Sequence, residues 1–299
     1  MILKDNDTHH HVIADPTRAQ QVAGTASPFR IDLVFRGGLT TSQMAAFDQA
    51  AFRWTRVIVG DLPSMIGDNG EVIDDLLIFA GGANLGGPGG VLAEAGPTRF
   101  RGLFGLPYAG IMRFDIADLR NMENEGTLVD VITHEMGHVL GIGTLWPSRG
   151  LITDAGTEFV SYVGPNGMSA RSALTGDGQN RPVEVENMFG PGSADAHWRE
   201  SVYSNELMSS LISARGNPLS LLTVASLADL GYQVDFNAAE FYLPGSPPQA
   251  ALDGPFVTCH APVDGRGMIQ PVVPIRQQPI GTGRLALPLP PSPFMAITG

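Results

Sequence analysis

Residues 134–141 read His134-Glu135-Met136-Gly137-His138-Val139-Leu140-Gly141, the H-E-x-x-H pattern with a glycine three positions after the second histidine. On a helix, residues four apart share one face and stand about one turn, roughly 6 Å, from each other. Two imidazoles at that spacing can grip one metal ion. Glu135 is turned about 100° from His134, so it faces away from the same ion but can reach a water that the ion holds. The pattern therefore specifies a metal, a nucleophile and a base within five residues.

The flanking residues predict that this stretch is a helix. Thr127, with Asp130 three residues later, resembles a capping box. Leu128, Val131, Ile132, Met136 and Val139 supply an apolar face, and Gly141 is placed to end the helix in a left-handed conformation that glycine adopts cheaply. Upstream, Ile31, Leu33 and Phe35 alternate with polar residues, which predicts a half-buried strand over 28–36, ended by Gly37-Gly38. Thr41 is the expected N-cap of a helix whose Met44, Phe47, Ala51, Trp54 and Ile58 recur at helical spacing as core residues. Further strands are expected over 72–79, 91–95 (closed by Gly96-Pro97) and 110–114. The glycine-rich loop over 81–90 is not followed by G-K-[ST] and is no phosphate loop. Downstream, residues 142–196 are rich in Gly, Pro, Asn and Asp and read as a long, partly ordered insertion. A last helix is expected from Asn217 (N-cap) and Pro218 through Leu222, Ala225, Leu227 and Leu230 to Gly231.

Composition narrows the function. The chain has 299 residues, 43% of them hydrophobic, and can bury a sizeable core. A net charge of −12, with no run of Lys or Arg, argues against nucleic acid as a partner. No apolar stretch approaches the roughly 20 residues of a membrane span. The opening residues are too polar for a secretory signal peptide. With Cys259 as the only cysteine, no intrachain disulfide can form. Of the seven histidines, the run His9-His10-His11 reads as part of a polar, disordered extension over 1–28. His260 reads as a surface residue. About half of the 23 prolines fall beyond residue 245, so 246–299 reads as a loosely folded tail.

A catalytic zinc keeps one of its four positions for water, so a third protein ligand is needed. The compact metzincin pattern would place a histidine ten residues after the first, and that position is Thr144. Glu158 lies at about the distance of the third ligand in thermolysin-like enzymes, although its neighbours do not read as a helix. His197 follows the insertion in Ala196-His197-Trp198-Arg199-Glu200. A few residues on comes Asn205-Glu206-Leu207-Met208-Ser209, and a methionine on a tight turn beneath the zinc is the second metzincin hallmark. These surroundings favour His197.

Taken together, the stretch from Gly110 to Asp115, the run from His134 to Trp146, His197-Trp198 and Glu206-Leu207-Met208 resemble the leishmanolysin family of zinc metallopeptidases, over about residues 29–245. The resemblance implies that His134, His138 and His197 bind zinc, that Glu135 is the catalytic base and that Met208 forms the Met-turn. It implies an α+β, metzincin-like catalytic domain: a mixed twisted sheet, an active-site helix, and a C-terminal subdomain carrying the Met-turn, with zinc in a cleft below an edge strand. The domain plan is then a polar extension (1–28), a catalytic domain (29–245, with 142–196 inserted between zinc ligands) and a Pro-rich tail (246–299).

The absence of disulfides makes the chain look more like the compact bacterial relatives than the eukaryotic members. The extension carries no cysteine for a cysteine switch, and no tyrosine closely follows Met208. The expected activity is zinc-dependent hydrolysis of peptide bonds in polypeptide substrates, through a metal-activated water with Glu135 as general base. Family habit suggests a secreted or cell-surface protein. Two alternatives stand beside this one: a non-catalytic or latent zinc-binding protein on a peptidase scaffold, and a thermolysin-like enzyme using Glu158.

Overall fold

The computed structural model describes residues 3–4, 7–87, 92–102, 105–190, 192–213, 216–244 and 257–258. Val91, Cys259, His260 and most of the Pro-rich stretch lie outside these residues.

A five-stranded mixed sheet forms the base of the fold. Its strands are β1 (Thr8–Ile13), β2 (Arg30–Phe35), β3 (Leu76–Ala83), β4 (Ala93–Phe100) and β5 (Pro107–Asp115). Their order across the sheet is β1-β2-β3-β5-β4. The pairs β2–β3 and β3–β5 are parallel, and β1–β2 and β4–β5 are antiparallel. Alternation in β2 sends Ile31, Leu33 and Phe35 to one face and Val34 to the other. The first face carries the main core. The second carries a small cluster of Val34, Leu77, Phe79, Ala109 and Ile73.

Two long helices cover the main face. The first, α1 (Thr41–Val57), buries Phe47, Ala50, Ala51 and Trp54 at helical spacing. Burying a side chain of Phe size contributes about 1.5–3 kcal/mol. The short helix α2 (Ile116–Glu125) follows β5 directly, and the histidine-bearing helix α3 (Leu128–Leu140) follows α2. The Trp54 indole N–H donates to the Thr133 carbonyl at 2.9 Å, tying α1 to α3. Helix α3 is buried almost all round, from Val131 to Leu140 without a break. No helix among the described residues is long and apolar enough to cross a membrane.

Several sequence expectations need correction. Structure begins before Pro28: residues 8–13 form β1, paired along its length with β2. Of its two half-buried positions one is the polar His10 and only the other, Val12, is apolar, so apolar alternation could not reveal it. His10 Nδ1 sits 2.9 and 3.0 Å from the two Asp48 carboxylate oxygens, and its ring packs edge-on against Phe35. Helix α1 is capped by Thr40, one residue earlier than expected, in a full capping box with Gln43. Thr127 makes no side-chain cap, because its hydroxyl turns back to the Met122 carbonyl at the end of α2. Asp130 is held instead by Arg53 at 2.7 Å and Asn217 at 2.8 Å.

The same use of Asn217 explains the last helix. Its amide bonds Ser213 and Asp130, so Ser220 caps α5 (Leu221–Leu230) three residues later. Strand β4 does not stop at Gly96-Pro97 but runs on to Phe100, with irregular register beyond Pro97. Pro97 lacks an N–H, which an edge strand tolerates.

Residues 142–196 hold more order than their composition suggests. Short strands at Ile152–Thr153, Ser161–Tyr162 and Val183–Glu184 form a three-stranded sheet, and α4 (Pro165–Thr175) lies between the last two. Asp229 on α5 anchors this region, accepting from the Tyr162 hydroxyl and from the Asn166 and Gly167 N–H groups. In the Pro-rich stretch, Val257–Thr258 pairs antiparallel with Leu211–Ile212.

Candidate metal centre

His134 and His138 project from α3, which ends at Gly141 with φ of 110°. His197 arrives from the far side of the inserted residues. All three are fully buried. Their Nε2 atoms form a near-equilateral triangle: 3.0 Å from His138 to His134, 3.1 Å from His134 to His197 and 3.1 Å from His138 to His197. The rings of His134 and His197 lie 16° from parallel, and that of His138 stands nearly perpendicular to both.

The other ring nitrogens assign the tautomers. His134 Nδ1 lies 2.7 Å from the Leu207 carbonyl, His138 Nδ1 3.0 Å from the Ile142 carbonyl, and His197 Nδ1 2.9 Å from the Ser193 carbonyl. A carbonyl oxygen only accepts, so each Nδ1 carries the proton and each Nε2 turns a lone pair inward. Three inward lone pairs at this separation suit a cation, and the donor set of three neutral imidazoles suits zinc. Glu135 is buried on the same helix, next to His134.

Met208 lies beneath α3. A β-carbon added at Gly137 would come within 3 Å of its sulfur and terminal carbon. Thr144 is no ligand, since its hydroxyl donates to the His138 carbonyl at 2.9 Å and closes the helix end. Glu158 is exposed and stands outside the histidine group. A second cluster, Asp61, Asp74 and Asp75, is also close-set. The Asp75 carboxylate there is occupied by the Leu62 and Arg30 N–H groups, at 2.6 and 2.8 Å.

Sequence alone assigns no role to two buried glutamates, Glu186 and Glu206. Glu186 accepts from the Asn187, Met188 and Glu200 N–H groups and from the Ser210 hydroxyl, and its own N–H donates to the His197 carbonyl. Glu206 accepts from Met208, Ser220 and Thr223. Burial pushes the Glu206 carboxyl up from its ordinary range, against the pull of these donors. Burial likewise raises Glu200 to about 7, opposed by Ser209 and the Leu211 N–H and assisted by the charge of Glu186. Position offers one signal for Glu206, since it lies two residues before Met208. The backbone carbonyls of Ile142, Ser193 and Leu207 leave no trace in side-chain identity.

Strand β4 forms the sheet edge nearest α3; among the described residues its only sheet partner is β5, and it packs against α3 on its face. Of the strand expected over 91–95, Ala93–Ala95 form the start of this edge strand, and Val91 lies outside the described residues.

Residues 89–248 match the peptidase family M8, leishmanolysin. No curated protein matches the chain.

Proposed function

The chain belongs to the leishmanolysin family of metallopeptidases, and from that premise we propose that it is a zinc-dependent endopeptidase. The observation that carries this reading is the triangle of three buried Nε2 atoms, each with its Nδ1 proton committed to a backbone carbonyl, beside Glu135. His134, His138 and His197 would hold the metal, with Met208 beneath them. Zinc, when bound, supplies a Lewis acid and brings the pKa of a water toward about 7.

The remaining work falls to the chain. Glu135 accepts the proton of the attacking water and passes it to the leaving amine, as a general base and then a general acid. The peptide substrate lies extended along the outer edge of β4, on the side away from β5, adding its backbone to the sheet. Three ring orientations held by carbonyls keep the ligands in place without rearrangement, which is the preorganisation such a site requires.

The test is cleavage of an unstructured protein such as casein, run beside Glu135→Ala. Cleavage that a chelator stops and the variant lacks supports the proposal. If neither protein cleaves while about one zinc remains bound per chain, the endopeptidase reading fails.

A further inference from the structure

Glu206 is fully buried and receives four hydrogen bonds. One carboxylate oxygen accepts from the Met208 N–H at 2.6 Å. The other accepts from the Ser220 hydroxyl at 2.6 Å, the Thr223 hydroxyl at 2.6 Å and the Ser220 N–H at 3.2 Å. Four donors fill the acceptor capacity of one carboxylate. Ser220 is the N-cap of α5, so the negative group sits at the positive end of that helix.

The bonds lead from Glu206 to two of the three histidines. The Leu207 carbonyl, next in the chain, accepts from His134 Nδ1. The Met208 carbonyl accepts from the Trp198 N–H at 3.0 Å, and Trp198 directly follows His197. Thr223, which donates to Glu206, accepts from the Trp198 indole N–H at 2.8 Å. Removing the carboxylate would take away the bonds from the 206–208 turn to the start of α5, leaving the Leu207 N–H to Pro218 carbonyl bond as its tie to that segment. It would loosen the carbonyl that orients His134 and the backbone that carries His197.

We propose that Glu206 is a positioning residue for the metal centre, locking the 206–208 turn to α5 so that the Nε2 atoms of His134 and His197 converge with that of His138. This rests on the reading of the three histidines as a metal site. Glutamine cannot replace it. Each carboxylate oxygen faces a backbone N–H, so an amide must turn its NH2 against either Met208 or Ser220, leaving a buried donor unpaired.

The experiment measures zinc affinity by chelator competition and the visible spectrum of the cobalt(II)-substituted protein. It compares wild type, Glu206→Gln, Thr223→Val and, as a control, Asp229→Asn, which weakens α5 contacts away from the site. Wild type that binds neither metal overturns the metal reading itself. Given wild-type binding, Glu206→Gln should lose about tenfold or more in zinc affinity, the range for groups that orient ligands. Its cobalt spectrum should also shift, while Asp229→Asn matches wild type in both. Affinity within twofold of wild type and an unchanged spectrum in a folded Glu206→Gln overturn the proposal, as does an equal loss in the control. If Glu206→Gln does not fold, Thr223→Val decides: a weakened affinity with a shifted spectrum supports the role, and wild-type values overturn it.

Discussion

Gly137 and Met208 exclude any side chain between them: a β-carbon on Gly137 would lie 2.7 Å from the Met208 sulfur and 2.9 Å from its terminal carbon. Trp54 closes the other side at 3.0 Å. The x-x of H-E-x-x-H thus carries a packing requirement. Gly137→Ala gains about 1 kcal/mol of helix propensity and incurs about 1–3 kcal/mol of overpacking. Because Trp54 blocks escape, overpacking wins, and urea unfolding should show a net loss of about 1 kcal/mol. Gly137→Ala should cost less in a Met208→Ala background than in wild type, the coupling expected for residues in contact. A Gly137→Ala protein more stable than wild type would contradict this packing.

Glu135 and the histidines are separable in their effects. Glu135→Gln should keep its zinc, because the three imidazoles are untouched. Its peptide hydrolysis should fall by about 100-fold or more, the usual contribution of general acid–base catalysis. Metal analysis beside a peptide assay checks both halves, and loss of zinc from the variant would reassign Glu135 to the ligands.

His197→Ala should leave two of three ligands and release the metal on dialysis. Zinc should raise the melting temperature of wild type, since a ligand that binds only the folded chain stabilises it by mass action. It should do so much less for His197→Ala. Glu158→Gln should bind zinc as wild type does, as its side chain is exposed and outside the histidine group. Weakened binding in Glu158→Gln would reopen the thermolysin-like alternative.

Asp75 predicts a pH dependence away from the metal. Burial pushes its carboxyl from 3.8 to about 7, against the Leu62 and Arg30 N–H bonds and with help from the charges of Asp74 and Asp61. Between those values the folded chain holds a proton that the unfolded chain releases. The stability this supplies is fully present below about pH 3.8 and is lost as pH rises through about 7. Unfolding free energies across this window should fall less steeply with pH in Asp75→Asn than in wild type. An identical slope would remove Asp75 from the account.

Legibility tracked the distance over which each constraint acts. His134, Glu135 and His138 lie within five residues on one helix, so spacing alone implied their geometry. The strand from Ile31 to Phe35 and the Trp54 stripe announced themselves by period. Strand β1 did not, because His10 fills one of its two inward positions by pairing with Asp48, leaving Val12 as the one apolar signal. The caps at Thr127 and Asn217 were misread for a related reason. Both residues are of capping type, but their side chains are claimed by Met122, Ser213 and Asp130.

By itself the sequence supplied the candidates: which residue types can hold a metal, which can move a proton, and the helix that carries three of them. Only the tertiary structure decided how far apart they stand. His197 is 59 residues beyond His138, and nothing local sets the 3.1 Å between their nitrogens. That distance follows from carbonyls at Leu207, Ile142 and Ser193. Every residue carries such a carbonyl, so composition and period cannot single these out; folding selects them by bringing each to the back of one imidazole.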